Sequence, residues 1–327
     1  MDTYPISSNS LEKFYYIEGN QFGQQYKESL SDYHAWDQKS HCEQYLLFPE
    51  NIGPYLSLDE TSLSQGELYT IITNKQAKGK KGAIVAILRG TDSEQIMPIL
   101  KTISKKLRDK VKEITLDMAG SMNLIAKTCF RKATLVIDRF HVQKLAYDGI
   151  QEIRIAHRWD AINAETDAIQ EAKLSGYKHT ATRLSNGDTL KQLLARSRYL
   201  LFKSREKWTE SQKLRAKLLF DLYPDIKKAY ELTHDLRLIY SKTKNKGVAF
   251  TKLAQWYNKI GETEFKSFNT IAATIHSHYA EVLNFFNNRS TNASAESFNA
   301  KIKAFRASQR GVNDIPFFLY RLTKIYA

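Results

Sequence analysis

The chain has 327 residues, of which 42% are hydrophobic and 26% are charged, values close to globular averages that exclude a largely disordered protein. Lysine and arginine outnumber aspartate and glutamate by 49 to 35, and the net charge of +14 favours a polyanionic partner such as nucleic acid, although ribosomal, membrane-surface and heparin-binding proteins share this property. Two distant cysteines exclude a disulfide framework, and no apolar run approaches the ~20 residues of a membrane-spanning helix.

The amino-terminal segment, residues 1–53, is polar and aromatic and predicts a helical and linker region. It begins without the basic and apolar regions of a secretory signal, so we expect a cytoplasmic protein. Aromatic and leucine side chains recur at helical spacing and predict one amphipathic helix that packs on the main domain. These residues are Phe22, Tyr26, Leu30, Tyr33 and Trp36.

From about Pro54 the pattern changes to strands. Short glycine-containing connections join the first three hydrophobic runs and predict an antiparallel meander, after which helices and strands alternate. The predicted strands are residues 55–58, 68–73, 83–88, 111–116 and 133–137, with helices at 93–110 and 124–129. This βββαβαβ order requires a mixed α/β sheet, because strand–helix–strand units need parallel crossovers.

Beyond Phe140 about 150 residues carry helical patterns and no strand pattern. Helices are predicted at 190–207, 212–222, 225–240 and 250–259, and a last helix begins at Ile315 with Asp314 as its cap. Beyond residue 53 the chain therefore divides into a strand-rich segment (residues 54–141), an all-helical segment (142–290) and a helix-rich end (291–327).

Asp59 and Asp117 each follow a hydrophobic run at the carboxyl end of a predicted strand. In a βββαβ sheet of the RNase H type, the first and fourth strands are neighbours, so these carboxylates would face each other. Two such carboxylates repel unless a cation lies between them. Mg²⁺ suits this position because it takes oxygen ligands, and two ions about 3.5–4 Å apart would serve an in-line displacement at phosphate. Either aspartate alone is better explained as a turn former or helix cap; their matching positions favour the metal site.

Glu296 supplies a third carboxylate, on a late helix with two distinct faces. The apolar face contains Phe298, Ile302 and Phe305. The polar face contains Glu296, Asn299, Lys303 and Arg306. An acid followed by an amide and two bases fits metal ligation beside a DNA backbone. A glutamate that only complements the helix dipole is the alternative, whereas a capping box is not, because Ala293 occupies its cap position.

The predicted insertion contains a dense run of basic residues interleaved with aromatic ones. The DNA-binding candidates are Arg196, Arg198, Lys203 and Arg205, and the aromatic residues are Tyr199, Phe202 and Trp208. Such a surface can hold phosphates and stack on an exposed base. A solvated helix face whose aromatic side chains lie in the core is the alternative.

Asp138-Arg139-Phe140-His141 follows a strand and resembles the D-R-F-H signature of the ISL-three group of bacterial insertion-sequence transposases. The resemblance runs from about Pro54 to the end of the chain. Matching stretches occur in order at Leu58-Asp59-Glu60, at Leu116-Asp117-Met118 and at Asn292-x-x-x-Glu296-x-x-Asn299-x-Lys301-Ile302-Lys303, and the helical segment of residues 189–208 is also similar.

The resemblance implies an RNase H-like core in two parts, residues 54–141 and 291–327, interrupted by the all-helical insertion of residues 142–290. It implies a catalytic, metal-binding triad of Asp59, Asp117 and Glu296, with Asp138 and His141 in supporting roles. It also implies two Mg²⁺ ions, which Mn²⁺ can replace. The expected reaction is cleavage and strand transfer of double-stranded DNA. The expected active form is a homo-oligomer assembled on DNA in a bacterial nucleoid. Ser297 stands where such proteins often have glycine. The amino-terminal segment lacks the group's zinc-binding and helix-turn-helix region, so either a separately encoded protein recognises the element ends or this copy is truncated. We expect the separate protein, because the rest of the chain matches the group's pattern.

Two other functions remain open at this point. A nuclease of the same superfamily would cut DNA without joining it, and an inactive, domesticated remnant would bind DNA only. The presence of all three carboxylates argues against the remnant.

Overall fold

The computed structural model describes residues 1–62, 66–309 and 311–327. The chain forms two compact units, of which the first comprises Met1–Asp138 together with Asn288–Ala327 and the second Arg139–Asn287. The first unit contains the sheet, and the second is built from helices. The domain boundaries drawn from the sequence, with an insertion at residues 142–290, stay a prediction.

The sheet of the first unit has six strands in the described residues. They are β1 (Tyr45–Leu47), β2 (Tyr55–Ser62), β3 (Leu68–Asn74), β4 (Ile84–Arg89), β5 (Glu113–Leu116) and β6 (Thr134–Ile137). Their order is β1-β4-β3-β2-β5-β6. The pairs β1–β4, β3–β4 and β2–β3 are antiparallel, whereas β2–β5 and β5–β6 are parallel. The predicted mixed sheet and the predicted pairing of β2 with β5 are thus confirmed. The edge strand β1 was not among the five strands predicted from the sequence.

One prediction about β2 is wrong in detail. The hydrophobic run ends at Leu58, but the strand continues to Ser62, so Asp59 lies inside β2 and not at its carboxyl end. The polar residues keep extended backbone because they remain paired with β3, where Asp59 lies opposite Ile71 and Glu60 opposite Thr70. Backbone pairing therefore extended the strand beyond its apolar residues.

The helices follow the predicted order with several changed bounds. They are α1 (Asn9–Tyr15), α2 (Gly19–Gln25), α3 (Ser93–Lys101), α4 (Lys105–Arg108), α5 (Gly120–Cys129), α6 (Arg139–Leu174), α7 (Leu190–Arg196), α8 (Glu210–Leu222), α9 (Pro224–Lys242), α10 (Lys246–Gly261), α11 (Lys266–Ser277), α12 (Tyr279–Asn288), α13 (Ala293–Ser308) and α14 (Ile315–Tyr326).

Three predicted helices are shorter than expected. The amino-terminal one ends in a π-helical turn at Tyr26–Leu30, because Ser31 is extended; Tyr33 and Trp36 lie beyond it, with their rings against Tyr320 of α14. The helix at 93–110 divides into α3 and α4 at Ser104, whose hydroxyl accepts from the Leu107 N–H as a cap. The helix at 190–207 ends at Arg196, and two short 3₁₀ turns, Leu200–Phe202 and Arg205–Lys207, follow.

The core of the first unit joins the sheet to α13 and α14. Phe298, Ile302 and Phe305 of α13 are buried in one cluster with sheet residues such as Ile71 and Ile87. The predicted apolar stripe is therefore confirmed, and its burial sets which face of α13 remains polar. Asp314 caps α14 by accepting from the Phe317 N–H over 3.0 Å, also as predicted.

The second unit is organised around α6, which has 36 residues. Helices α7, α9 and α11 pack along it. Its buried Arg154 donates to the side chain of Gln151 and to the carbonyl oxygen of Leu194. Among the helices within the described ranges, none is long and apolar enough to cross a membrane.

Candidate active site

Three aspartates occupy equivalent positions along three neighbouring parallel strands. Ser57 of β2 pairs with Thr115 of β5, and Thr115 pairs with Val136 of β6. Two residues further along the chain stand Asp59, inside β2, and Asp117 and Asp138, which directly follow β5 and β6. Because residues two apart in a strand share a face, this register brings the three carboxylates to one region of the sheet.

Asp59 is held by a residue of α13. Its Oδ2 accepts a hydrogen bond from the side-chain amide of Asn299 over 2.9 Å, and its Oδ1 accepts from the Glu60 N–H over 2.9 Å. Asn299 is 9% exposed, so this bond is shielded from water. The polar face of α13 is thus joined directly to the strand that carries the first predicted ligand.

Asp117 follows β5 and shapes the turn into α5. Its Oδ1 accepts from the Ala119 N–H over 2.8 Å, a turn that orients the carboxylate at the start of that helix. The alternative role inferred from the sequence, that of turn former, is therefore present in the structure. It is compatible with metal binding because an ionised carboxylate has about four acceptor positions.

Asp138 and Glu296 lie close together. Oxygen atoms of the two carboxylates are within 4.8 Å of each other, and Asp138 is only 2% exposed. The Oδ2 atom of Asp138 accepts from the backbone N–H of Asn292 over 3.0 Å, and Glu296 donates its own N–H to the Asn292 carbonyl over 2.9 Å. Asn292 therefore links the carboxylate after β6 to the first turn of α13.

The distances between carboxylate oxygens differ between the predicted triad and the predicted supporting residue Asp138. Within the described ranges, Asp59, Asp117 and Glu296 do not form a group whose oxygens all lie within 4.8 Å. Asp138, which the sequence suggested as a supporting residue, does lie within this distance of Glu296. His141 lies in the first turn of α6, in the second unit. The assignment of roles among these residues stays a prediction.

Asn292 is a site residue that sequence reasoning left without a role. It precedes α13, is completely buried, and neither its Oδ1 nor its Nδ2 has a hydrogen-bond partner in the described part of the chain. Helices are commonly capped by asparagine, but here the side chain accepts no bond from the helix. The one available signal was its place four residues before Glu296 in the matching motif.

The remaining DNA-binding candidates fall into two classes. Lys303 on α13 and Arg198 and Lys203 in the second unit are exposed, and Arg306 is half-buried. Arg205 is exposed but lies 3.2 Å from Glu231, and Arg196 is paired with the buried carboxylate of Asp188. Their role in DNA binding stays a prediction.

Of the interleaved aromatic residues, one is presented to solvent. Tyr199 is 66% exposed, with the Arg198 guanidinium 5.4 Å from its ring centre. Phe202 packs edge-on against Tyr147, and Trp208 packs against Tyr230 while its indole donates to the Leu200 carbonyl. Tyr199 is thus the aromatic residue of the three that could stack on a base.

Comparison with known proteins places this arrangement in a family. The model of the ISL3 group of DDE transposases, described as "Transposase", matches residues 56–322. The chain is 19% identical over 272 residues to the transposase for insertion sequence element IS1001 of Bordetella parapertussis, an alignment that covers 82% of this chain and 60% of that relative. No solved structure matches the chain. Because the family model spans most of the chain, the chain belongs to the ISL3 family of transposases.

Proposed function

We propose that this chain catalyses metal-dependent DNA strand cleavage and strand transfer for an insertion sequence, with Asp59, Asp117 and Glu296 as its catalytic carboxylates. The observation that carries the proposal is the bond from Asn299 to Asp59. It joins β2 to α13 one helical turn from Glu296, in the sheet region where Asp117 and Asp138 occupy equivalent positions.

The donor set fits Mg²⁺. It consists of carboxylate oxygens, which are the ligands that this ion takes, and in the same region the carboxylates of Asp138 and Glu296 approach within 4.8 Å of each other. When bound, Mg²⁺ would supply Lewis-acid stabilisation of the charge that develops on the phosphate oxygens. Asp59, Asp117 and Glu296 are the residues that would hold one or two such ions. Mn²⁺, which takes the same oxygen ligands, should substitute.

The chain's own residues fix the positions of these ligands. Asn299 and the Glu60 N–H orient the Asp59 carboxylate, and the Ala119 N–H orients that of Asp117. The buried apolar face of α13 holds Glu296 at a fixed distance from the sheet, because Phe298 and Ile302 cannot shift without leaving the core. This preorganisation is what phosphoryl-transfer chemistry requires of a protein.

The proposed substrate is double-stranded DNA, both element ends and target, in the nucleoid of a bacterial cell. Support comes from the net charge of +14 and from exposed basic residues in both units, such as Lys303 and Lys203. Recognition of the element ends by a separately encoded protein, and assembly of several copies on DNA, are further parts of the proposal. The chain spans about 60% of the length of the relative from Bordetella parapertussis.

The decisive experiment incubates the purified chain with labelled element-end DNA and Mg²⁺, with and without any protein encoded beside it. Cleavage followed by joining to a target strand supports the proposal. Cleavage without joining would indicate a nuclease, and binding without cleavage an inactive remnant. Reactions with a chelator and with an Asp59→Ala variant are the controls.

A further inference from the structure

A largely buried lysine of the first unit contacts the connection that leads into α13. Lys75 begins the 3₁₀ turn Lys75–Ala77 after β3, and its side chain is 15% exposed. Its Nζ atom donates to Thr115 Oγ1 over 2.7 Å and to Ser290 Oγ, and it lies 3.7 Å from Glu113 Oε1. One ammonium group therefore contacts both β5 and the connection that leads into α13.

That connection, residues 288–292, is attached to the sheet at three points. At its start, Asn288 donates from Nδ2 to Glu113 Oε2 over 2.6 Å. In its middle, Ser290 accepts from Lys75 and lies 3.3 Å from Thr115 Oγ1. At its end, the Asn292 N–H donates to Asp138 over 3.0 Å. Glu296 follows in the first turn of α13, so these attachments fix where that helix begins.

The energetics argue against a purely stabilising role for Lys75. Burial lowers the pKa of Lys75, and the carboxylates of Glu113 and Asp138 oppose this shift. The free energy needed to remove an ammonium group and a carboxylate from water is about as large as the free energy gained from their attraction. A buried ion pair therefore often stabilises a fold no more than apolar residues of similar volume would. The polar network instead specifies one arrangement of residues 288–292 against β5.

We propose that Lys75 is a positioning residue for Glu296: its ammonium group anchors the connection of residues 288–292 to β5 and so sets the start of α13. This inference rests on the proposed catalytic role of Glu296. Lys75 itself does not contact the carboxylates of Asp59, Asp117 or Glu296 through any bond described above; it acts through Ser290 and Thr115.

The test measures local anchoring and catalysis separately in the full chain. Ser290→Ala removes one contact of the lysine and leaves its ion pair with Glu113 intact. Lys75→Met combined with Glu113→Gln removes the ammonium group without leaving Glu113 as an uncompensated carboxylate. Lys80→Met, at an exposed lysine five residues further on, is the matched control. Backbone hydrogen exchange is followed in peptides that cover residues 286–300, together with kcat and KM for cleavage in Mg²⁺.

We expect faster exchange confined to residues 288–296 in both variants, unchanged exchange in β5 and β6, and a fall in kcat of up to about 10²-fold with little change in KM for DNA. Lys80→Met should leave exchange and kcat unaltered. Unchanged exchange in both variants would overturn the anchoring role, whatever the activity. Faster exchange with an unaltered kcat would overturn the positioning role. If the unaltered chain fails to cleave, the proposed function fails, while the exchange result still decides whether Lys75 anchors the connection.

Discussion

Asn299 on α13 and Asp59 on β2 share a hydrogen bond of 2.9 Å although 240 positions separate them in the chain. The bond orients a catalytic candidate through a residue that the sequence suggested only as a DNA contact. It also means that α13 cannot rotate or slide along the sheet without breaking a shielded bond to a carboxylate. This hydrogen bond therefore helps to set the relative position of Asp59 and Glu296 without a bound metal ion.

Replacing Asn299 by aspartate tests this relationship. The variant loses the donated hydrogen bond, which is worth about 1.5–3 kcal/mol to a charged acceptor, and places a second negative charge beside Asp59. We expect a lower free energy of unfolding without metal and partial recovery in Mg²⁺. Urea unfolding with and without the ion measures both. Asn163→Asp, at an exposed position of α6, should show neither effect, and equal behaviour of the two variants would contradict the role of this bond.

The triad predicts severe losses of cleavage. Asp59→Ala, Asp117→Ala and Glu296→Ala each remove an oxygen ligand, so each should reduce cleavage by about 10³-fold, corresponding to several kcal/mol of lost transition-state stabilisation. The fold and the binding of DNA should persist, because removing a carboxylate relieves repulsion in the metal-free chain. Cleavage rates at saturating DNA, with circular dichroism as the folding control, provide the measurement.

Asp138→Ala distinguishes two assignments of the second aspartate. If Asp138 is a supporting residue, the Asp138→Ala variant should retain more cleavage activity than the Asp117→Ala variant. Its burial and its bond to Asn292 nevertheless predict an effect on α13, visible as a lower melting temperature. Abolished cleavage in Asp138→Ala beside an active Asp117→Ala would show that Asp138, and not Asp117, completes the triad with Glu296.

The amino-acid pattern predicts those parts of this site that depend on periodicity and strand order. The spacing of Phe298, Ile302 and Phe305 identified the buried face of α13 and hence its polar face. The βββαβ order made β2 and β5 neighbours and so brought Asp59 and Asp117 to equivalent positions.

The role of Lys75 could not be predicted in this way. Its hydrogen-bond partners Thr115 and Ser290 lie 40 and 215 positions away, and a lysine in a turn after a strand is ordinary. Likewise β1 is too short for a strand pattern, and its three residues are extended because β4 offers an edge to pair with. Tertiary contacts decide such features, and they leave no local pattern.

The salt dependence of DNA binding should change with the exposed basic residues of the second unit. Each phosphate contact contributes about −0.9 to the slope of log K against log salt, so Arg198→Glu with Lys203→Glu should make the slope less steep by roughly two. Fluorescence anisotropy with duplex DNA between low and moderate salt gives this value. The comparison is a variant in which the charges of Lys173 and Lys178, which are also exposed, are reversed. The same slope for both double variants would contradict a DNA-contacting role of Arg198 and Lys203.

The second unit should lose stability in acid through Asp188. Burial alone would raise the pKa of this carboxyl group, but hydrogen bonds and charges from Arg215 and Arg196 outweigh burial and hold the pKa below its usual value. The carboxylate therefore stabilises the fold fully above the pKa of an unfolded aspartate, about 3.9, and this contribution disappears as the pH falls through the lower folded value.

Melting temperatures between pH 7 and pH 2 test this contribution. Asp188→Asn should be less stable than the unaltered chain at pH 7, because the two arginines lose their buried partner, and the difference should shrink in acid. Asp167→Asn, at an exposed aspartate of α6, serves as the control. A constant difference across the whole pH range would contradict the expected role of Asp188.

The division of the first unit between Met1–Asp138 and Asn288–Ala327 has a consequence for synthesis of the protein on the ribosome. The sheet strands are translated before the helical unit, whereas the side chains of α13 and α14 that complete their core are translated after it. The helical unit is translated in between and can fold before the sheet is covered. A chain that terminates prematurely within the helical unit lacks Glu296 and therefore has only two of the three carboxylates proposed to cut DNA.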